Sequence, residues 1–146
     1  MYIISKCLLG ENCKYNGGNN FTKWVLDFAK RNSYLSVCPE MIGNLPCPRL
    51  PSEIVGDRVI NKQGEDVTDN FEDGATIALN IAKLEAKARN EEIEGAILKA
   101  NSPSCGFKKV YDGTFTGKLV DGNGIFVRKL INEDIMVITE KEKIDG

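Results

Sequence analysis

Ile93-Glu-Gly-Ala-Ile-Leu-Lys-Ala100, running into Asn101-Ser-Pro-Ser-Cys-Gly106, is the stretch on which the fold turns. A short apolar run bounded by turn residues reads as a central strand buried on both faces. The Asn, Ser, Pro and Gly that follow make 101–106 a loop by composition, so the chain leaves the sheet there.

Working outward, Tyr2 to Leu8 reads as a strand entering a Gly/Asn-rich loop, Gly10 to Asn20. Phe21, Trp24, Val25 and Phe28 keep helical spacing and predict a helix over Phe21 to Arg31. Ser33 to Val37 reads as a second strand ending at Cys38-Pro39-Glu40. Four prolines then predict an irregular loop from Cys38 to Ser52, because proline donates no ladder bond and restricts its predecessor. A hairpin is expected over Glu53 to Val67, with Gln63-Gly64 near its turn. Thr68 reads as the N-cap of the next helix, with Asp69, Glu72 and Asp73 near its positive end. Ile77, Ile81, Leu84 and Ala88 are its expected buried stripe. Beyond the central strand come a two-stranded excursion from Val110 to Leu119 around Asp112-Gly113, a helix near Gly124 to Asn132 and a last strand, Ile135 to Thr139.

Helices between strands imply parallel connections. The expected fold is α/β: one three-layer, Rossmann-like domain over residues 1–146, with a mostly parallel sheet and small β-hairpin excursions. The first strand should lie centrally, with the second on one side and the third on the other. Ligands in such sheets bind beyond the carboxyl ends of the strands, at the switch point. Cys7 and Cys38 end the first two strands in this reading, and Cys105 lies just past the third. Three cysteines far apart in sequence therefore arrive on one rim.

Composition restricts what that rim can do. The 146 residues are 42% hydrophobic and 27% charged with net charge -2, the balance of a globular protein without the basic footprint that DNA or long RNA demands. No basic segment precedes a long apolar run at the N-terminus, and no apolar run reaches membrane-spanning length. A cytoplasmic protein with reduced thiols is expected, needing neither DNA nor membrane as partner; oligomeric state is not legible. There are five cysteines and no histidine, which removes Cys–His and Ser–His dyads and every imidazole-dependent zinc site. No CxxC pair occurs, so thioredoxin-like chemistry and zinc ribbons lack their signature. Cysteine is often a small buried hydrophobe, but Cys7, Cys38 and Cys105 sit at strand ends among Gly, Pro or Ser. Thiolates suit zinc or iron–sulfur clusters, and a closed zinc site would need Cys13 or Cys47 as a fourth ligand. Spacing alone leaves zinc and cluster level.

A resemblance separates them. Ser5-Lys-Cys-Leu-Leu-Gly10, Lys14-Tyr-Asn-Gly17, Val37-Cys-Pro-Glu40, Leu45-Pro-Cys-Pro-Arg49, Asp66-Val-Thr68, Phe71-Glu-Asp-Gly-Ala75, Lys99-Ala-Asn-Ser-Pro-Ser-Cys-Gly106 and Tyr111-Asp-Gly113 follow one another as in the thiouracil desulfidase (TudS-like) family. The chain resembles a stand-alone member over nearly its whole length. The combination of CLLG, CPE and SPSCG carries the specificity. The resemblance implies a 4Fe-4S cluster held by Cys7, Cys38 and Cys105, with one iron open. It also implies non-redox removal of sulfur from a thiolated pyrimidine, C=S becoming C=O with release of hydrogen sulfide. Cys13 and Cys47 are extras to the family pattern, read as structural or incidental. Lys6, Lys14 and Asn16 also depart from it, at places bearing on substrate choice.

Attack by water on the thiocarbonyl carbon needs a base. Glu40, two residues after Cys38, is the first candidate; the competing reading pairs it with Arg49. Ser102 and Ser104 are candidates for the pyrimidine edge or the oxyanion, against a serine-bonded turn. Lys99 and Arg49 are candidate substrate contacts. Arg49 and Glu53 together could instead pin the proline loop. Two non-enzymatic alternatives remain: a sulfide-carrying or cluster-binding module of a tRNA sulfur pathway, and a structural zinc protein.

Overall fold

The computed structural model describes residues 1–143. Its central sheet has four parallel strands in the order β2-β1-β5-β8. These are β1 (Tyr2–Ser5), β2 (Tyr34–Val37), β5 (Gly95–Leu98) and β8 (Val137–Thr139). The first strand is central, flanked by the second and by Gly95–Leu98, as expected. Helices α1 (Lys23–Arg31), α2 (Pro39–Ile42), α3 (Thr68–Ala88) and α4 (Ile125–Asn132) surround it. Two antiparallel hairpins complete the fold: β3 (Ser52–Val55) with β4 (Arg58–Asn61), and β6 (Lys109–Tyr111) with β7 (Leu119–Asp121).

Strand alternation divides the core. Ile3, Ala96, Leu98 and Val137 point to one face, against Phe71, Ala75, Phe126 and Leu130 of α3 and α4. Ile4 and Ile97 point to the other, against Val25, Phe28 and Ala29 of α1. All four residues of β5 are buried, as a central parallel strand requires.

Several expectations are corrected. The first strand ends at Ser5, and Cys7 lies in the 3-10 turn Lys6–Leu9 that follows. The loop after Cys38 begins with a helical turn, because Pro39 takes the first helical position, where its missing N–H costs nothing. The hairpin turns at Gly56-Asp57, with Gly56 at φ 63°. Gln63-Gly64 instead turns the chain after β4, where Gly64 N–H donates to Asn61 O. Thr68 does not cap α3. Its hydroxyl accepts the Val59 N–H at 2.8 Å, while the Asp66 carboxylate accepts the Thr68 N–H at 2.9 Å.

The buried stripe of α3 is also not the expected one. Ile77, Ile81 and Leu84 are exposed, and Phe71, Gly74, Ala75, Ala78, Leu79, Ala82 and Ala86 face inward. Close approach decides this. A Cβ on Gly74 would stand 2.0 Å from Pro39 O, and one on Gly43 2.0 Å from Asn70 O. Helix α2 thus rests on α3 backbone to backbone, and the inner face of α3 is selected for small side chains. Asn70 Nδ2 fixes the seat by donating to Gly43 O at 2.8 Å.

Candidate functional site

Beyond the carboxyl ends of β1, β2 and β5 lies a cavity of about 430 Å3. Cys7, Cys38 and Cys105 all line it, as do Glu40, Arg49, Lys99, Ser102 and Ser104. Every candidate site residue read from the sequence is brought to one place.

Each wall has its own support. Cys7 sits in the 3-10 turn, whose Cys7 carbonyl accepts the N–H groups of Gly10 (3.3 Å) and Asn20 (2.9 Å). Cys38 is the residue just before α2, so the seat of α2 on α3 fixes both Cys38 and Glu40. Cys105 lies in a turn closed by its own N–H donating to Ser102 Oγ at 2.7 Å and by Gly106 N–H donating to Ser102 O at 2.9 Å. That turn rests on α4, whose Ile125 and Phe126 N–H groups donate to Pro103 O (2.9 Å) and Ser104 O (3.0 Å). The bond to Cys105 N–H occupies Ser102 in closing the turn.

Glu40 bridges two walls. Its Oε1 accepts from Arg49 Nε at 3.0 Å, and its Oε2 accepts from Ser104 Oγ at 2.8 Å. The ion pair is sheltered, with side-chain exposures of 7% for Arg49 and 15% for Glu40. Breaking such a pair from one side typically costs about 3–5 kcal/mol, because a buried charge is left uncompensated. Arg49 also donates to Pro46 O (3.1 Å) and Cys13 O (2.9 Å). Its donors are committed to positioning Glu40 and the two neighbouring loops. Burial alone would weaken the Arg49 charge, but Glu40 beside it, helped by Cys38 and Cys47, raises its pKa above the ordinary value.

Glu53 does not meet Arg49 as expected. It is buried on β3, where its Oε1 accepts the N–H groups of Gly113 (2.9 Å) and Phe115 (3.2 Å). It pins the 112–118 loop, so that Tyr111 and Phe115 line the cavity. Lys99 forms an ion pair with Glu140 at 3.1 Å and donates to Ala100 O at 2.9 Å.

Sequence reasoning missed four residues. Ser5 is buried, accepts the Lys99 N–H at 3.0 Å and works against the rise in the Cys105 pKa. A polar residue inside a buried strand was its available signal. Asn20 lines the cavity and helps to lower the Cys7 pKa. Glu140 accepts the Ala100 N–H at 2.7 Å and has no motif around it. Cys13 belongs to no spacing pattern, yet it is buried in one hydrophobic cluster with Cys7, Cys38 packs against that cluster, and the Cys38 thiol donates to Cys13 O at 3.9 Å.

These contacts spread the thiol acidities. Hydrogen bonding from Cys13 outweighs burial and lowers Cys38 to about 7; the same donor lowers Cys7. Cys13 is pushed well above an ordinary thiol, by its interactions with Cys38 and Cys7 and by burial. Burial pushes Cys105 up to about 12, with opposing help from Ser5 and Ser104. Cys105 also feels the charges of Cys7 and Cys38, so all three share one electrostatic environment.

Among the described residues, no three His, Cys, Asp or Glu side chains are arranged to hold a single metal ion. A cluster of several irons is different, since its ligands attach to separate corners rather than to one centre. Three thiols from three elements around a common cavity form a donor set of the right softness for it. Deprotonating buried Cys105 would be the principal cost, which metal ligation offsets.

Comparison with known proteins gives three matches. The model of a family described as 2-thiouracil desulfurase matches residues 2–142. YbbK of Bacillus subtilis (strain 168) is 34% identical over 155 aligned positions, covering 99% of this chain and 99% of the relative. A solved structure named as 4Fe-4S-dependent thiouracil desulfidase TudS is 36% identical. It superposes with a TM-score of 0.84 over 96% of this chain and 90% of that one.

Proposed function

The chain belongs to the 2-thiouracil desulfurase family, and from that premise we propose that it removes sulfur from a thiolated pyrimidine by adding water, using a 4Fe-4S cluster held by Cys7, Cys38 and Cys105. The single observation that carries the reading is Glu40, a sheltered carboxylate held between Arg49 and Ser104, two residues from one ligand and hydrogen-bonded to the neighbour of another.

Cys7, Cys38 and Cys105 would hold the cluster, and an iron left without a protein ligand would supply Lewis acidity toward a soft thione sulfur. The protein's own groups do the rest. Arg49 occupies Oε1 of Glu40, which leaves Oε2 to accept the proton lost by the attacking water. Before that transfer Ser104 donates to Oε2. Once Oε2 carries a proton it becomes the donor and Ser104 the acceptor. The Ser104 hydroxyl is then free to hydrogen-bond the oxygen added to the substrate carbon, which enters as a hydroxyl while the electron pair of the C=S bond moves to sulfur. Loss of that hydroxyl's remaining proton restores a carbonyl as the carbon–sulfur bond breaks, and both water protons leave with the sulfur, so that the thiocarbonyl and one water become a carbonyl and one hydrogen sulfide. Lys99, partly neutralised by Glu140, tempers the negative charge of thiolates and substrate. Tyr111 and Phe115 offer aromatic surface to a pyrimidine.

Glu40→Gln is the discriminating variant, because it keeps the side chain's size and an acceptor for Arg49 Nε while removing the base. We expect iron content and the visible chromophore to persist while sulfide release from 2-thiouracil falls by about 10²-fold or more. Turnover at the wild-type rate would remove Glu40 as the base. Sulfide release by reconstituted protein without any partner also separates the enzyme from a sulfide carrier.

A further inference from the structure

We propose that Cys13 is a fourth thiolate for the cofactor, closing the coordination position that the three-cysteine set leaves open and yielding it to thione sulfur. This rests on the cluster reading above and goes beyond it, since three thiolates suffice for that reading.

Cys13 sits on the Gly10–Asn20 loop, yet its side chain turns inward and is 5% exposed. It shares a buried hydrophobic cluster with Cys7, against which Cys38 packs, and lines the same cavity; the Cys38 thiol donates to the Cys13 carbonyl at 3.9 Å. An iron–sulfur cluster bound by Cys7 and Cys38 would therefore sit beside the side chain of Cys13. Its backbone is already fixed there. The N–H donates to Glu11 O at 2.9 Å, and the carbonyl accepts from Arg49 Nη2 at 2.9 Å, the same guanidinium that orients Glu40. Rotation of the side chain is then enough to attach or release the sulfur.

Cys47 shows the alternative use of an extra cysteine. Its thiol donates to Asn12 O at 3.0 Å and to Lys14 O at 3.4 Å, which ties two loops together. The Cys13 side chain instead packs beside the proposed ligands and lines their cavity. Iron prefers a thiolate to water, so the resting site closes. Thione sulfur is soft enough to compete, and its arrival frees Cys13 to take up a proton.

The test is the lability of one iron. Ferricyanide accepts one electron from a 4Fe-4S cluster, taking it from the 2+ to the 3+ state. An open corner then leaves as ferrous iron, and a 3Fe-4S form of charge 1+ remains, visible by electron paramagnetic resonance. Anaerobically reconstituted wild-type protein should keep four irons per chain and show no three-iron signal. Cys13→Ser should lose one iron per cluster and show it. The variant should also bind 2-thiouracil with a lower KM, by roughly tenfold if the closed form is nine-tenths populated.

Wild-type protein that gives the three-iron signal as readily as the variant overturns the proposal, and that measurement needs no variant to fold. The same result leaves the cluster reading intact. Wild-type protein that takes up no cluster at all overturns both.

Discussion

The cavity has two walls that differ in how they are held. The Ser102–Gly106 turn is anchored by backbone: Ser102 closes it, α4 docks on Pro103 and Ser104, and Gly124 N–H donates to Gly106 O at 2.8 Å. Ser104, Cys105 and Gly106 are buried. The Gly10–Asn20 loop opposite is half-buried to exposed except at Cys13. Many of its bonds are internal, such as Lys14 N–H to Gly18 O (3.0 Å) and Gly17 N–H to Lys14 O (2.9 Å). Its ends are tied to the preceding 3-10 turn, through Glu11 N–H to Lys6 O (3.3 Å) and Asn20 N–H to Cys7 O (2.9 Å), and its middle to the similarly exposed 45–51 loop, through Arg49 N–H to Tyr15 O (2.6 Å), the Arg49 guanidinium and Cys47. Fixed geometry suits a permanent ligand, and Cys105 sits there. A loop held by a few side chains suits a ligand that attaches and departs, and Cys13 sits there.

Removing the proposed permanent ligand should have the largest effect. Cys105→Ser should bleach the visible chromophore and drop iron content, and an intact stable cluster in that variant would contradict its place in the site. A smaller break leaves the thiol in place and moves its wall. A Cβ on Gly124 would stand 2.4 Å from Ser104 O and 2.9 Å from Cys105 N, both backbone atoms that cannot swing aside. Gly124→Ala should therefore destabilise the protein by about 1–3 kcal/mol and lower the iron bound per chain. Urea unfolding and iron analysis read the two effects. Unchanged values for both would show that this wall yields as easily as the other.

The two walls also differ in legibility. Cys7, Cys38 and Cys105 could be read because residue type and position at a strand end coincide, and parallel strands deliver their ends to one rim. The first strand nevertheless stops at Ser5, two residues before Cys7, since the chain enters a 3-10 turn. Glu40 could be read from its distance to Cys38, but its partners could not; contacts to Arg49 and Ser104 cross from other loops. Helix α3 shows the limit of periodicity. Hydrophobic size favoured Ile77, Ile81 and Leu84 for its inner face, whereas contact with Pro39 O and Gly43 selects the absence of a side chain at Gly74. Thr68 does not cap the helix because its hydroxyl is drawn to Val59 N–H, while its own N–H is taken by the Asp66 carboxylate. Cys13 had no local signature at all. Its role depends on a loop that folds back over the rim, and nothing in the spacing of cysteines encodes that.

The smallest expected effect belongs to Cys47. A thiol is a weak donor, and Cys47 is half-buried, so water replaces much of what its contacts to Asn12 O and Lys14 O supply. Cys47→Ala should lower stability by no more than about 1 kcal/mol and leave iron content and turnover unchanged. Arg49 still holds Tyr15 O and Cys13 O when the thiol is gone, which keeps the loop over the cavity. Iron loss under ferricyanide should rise only slightly, because the loop carrying Cys13 loses one of several ties. A stability loss as large as that of Gly124→Ala would mean that the exposed loops are fastened as firmly as the turn at Cys105. The distinction between a permanent ligand and a departing one would then have no basis in how their walls are held.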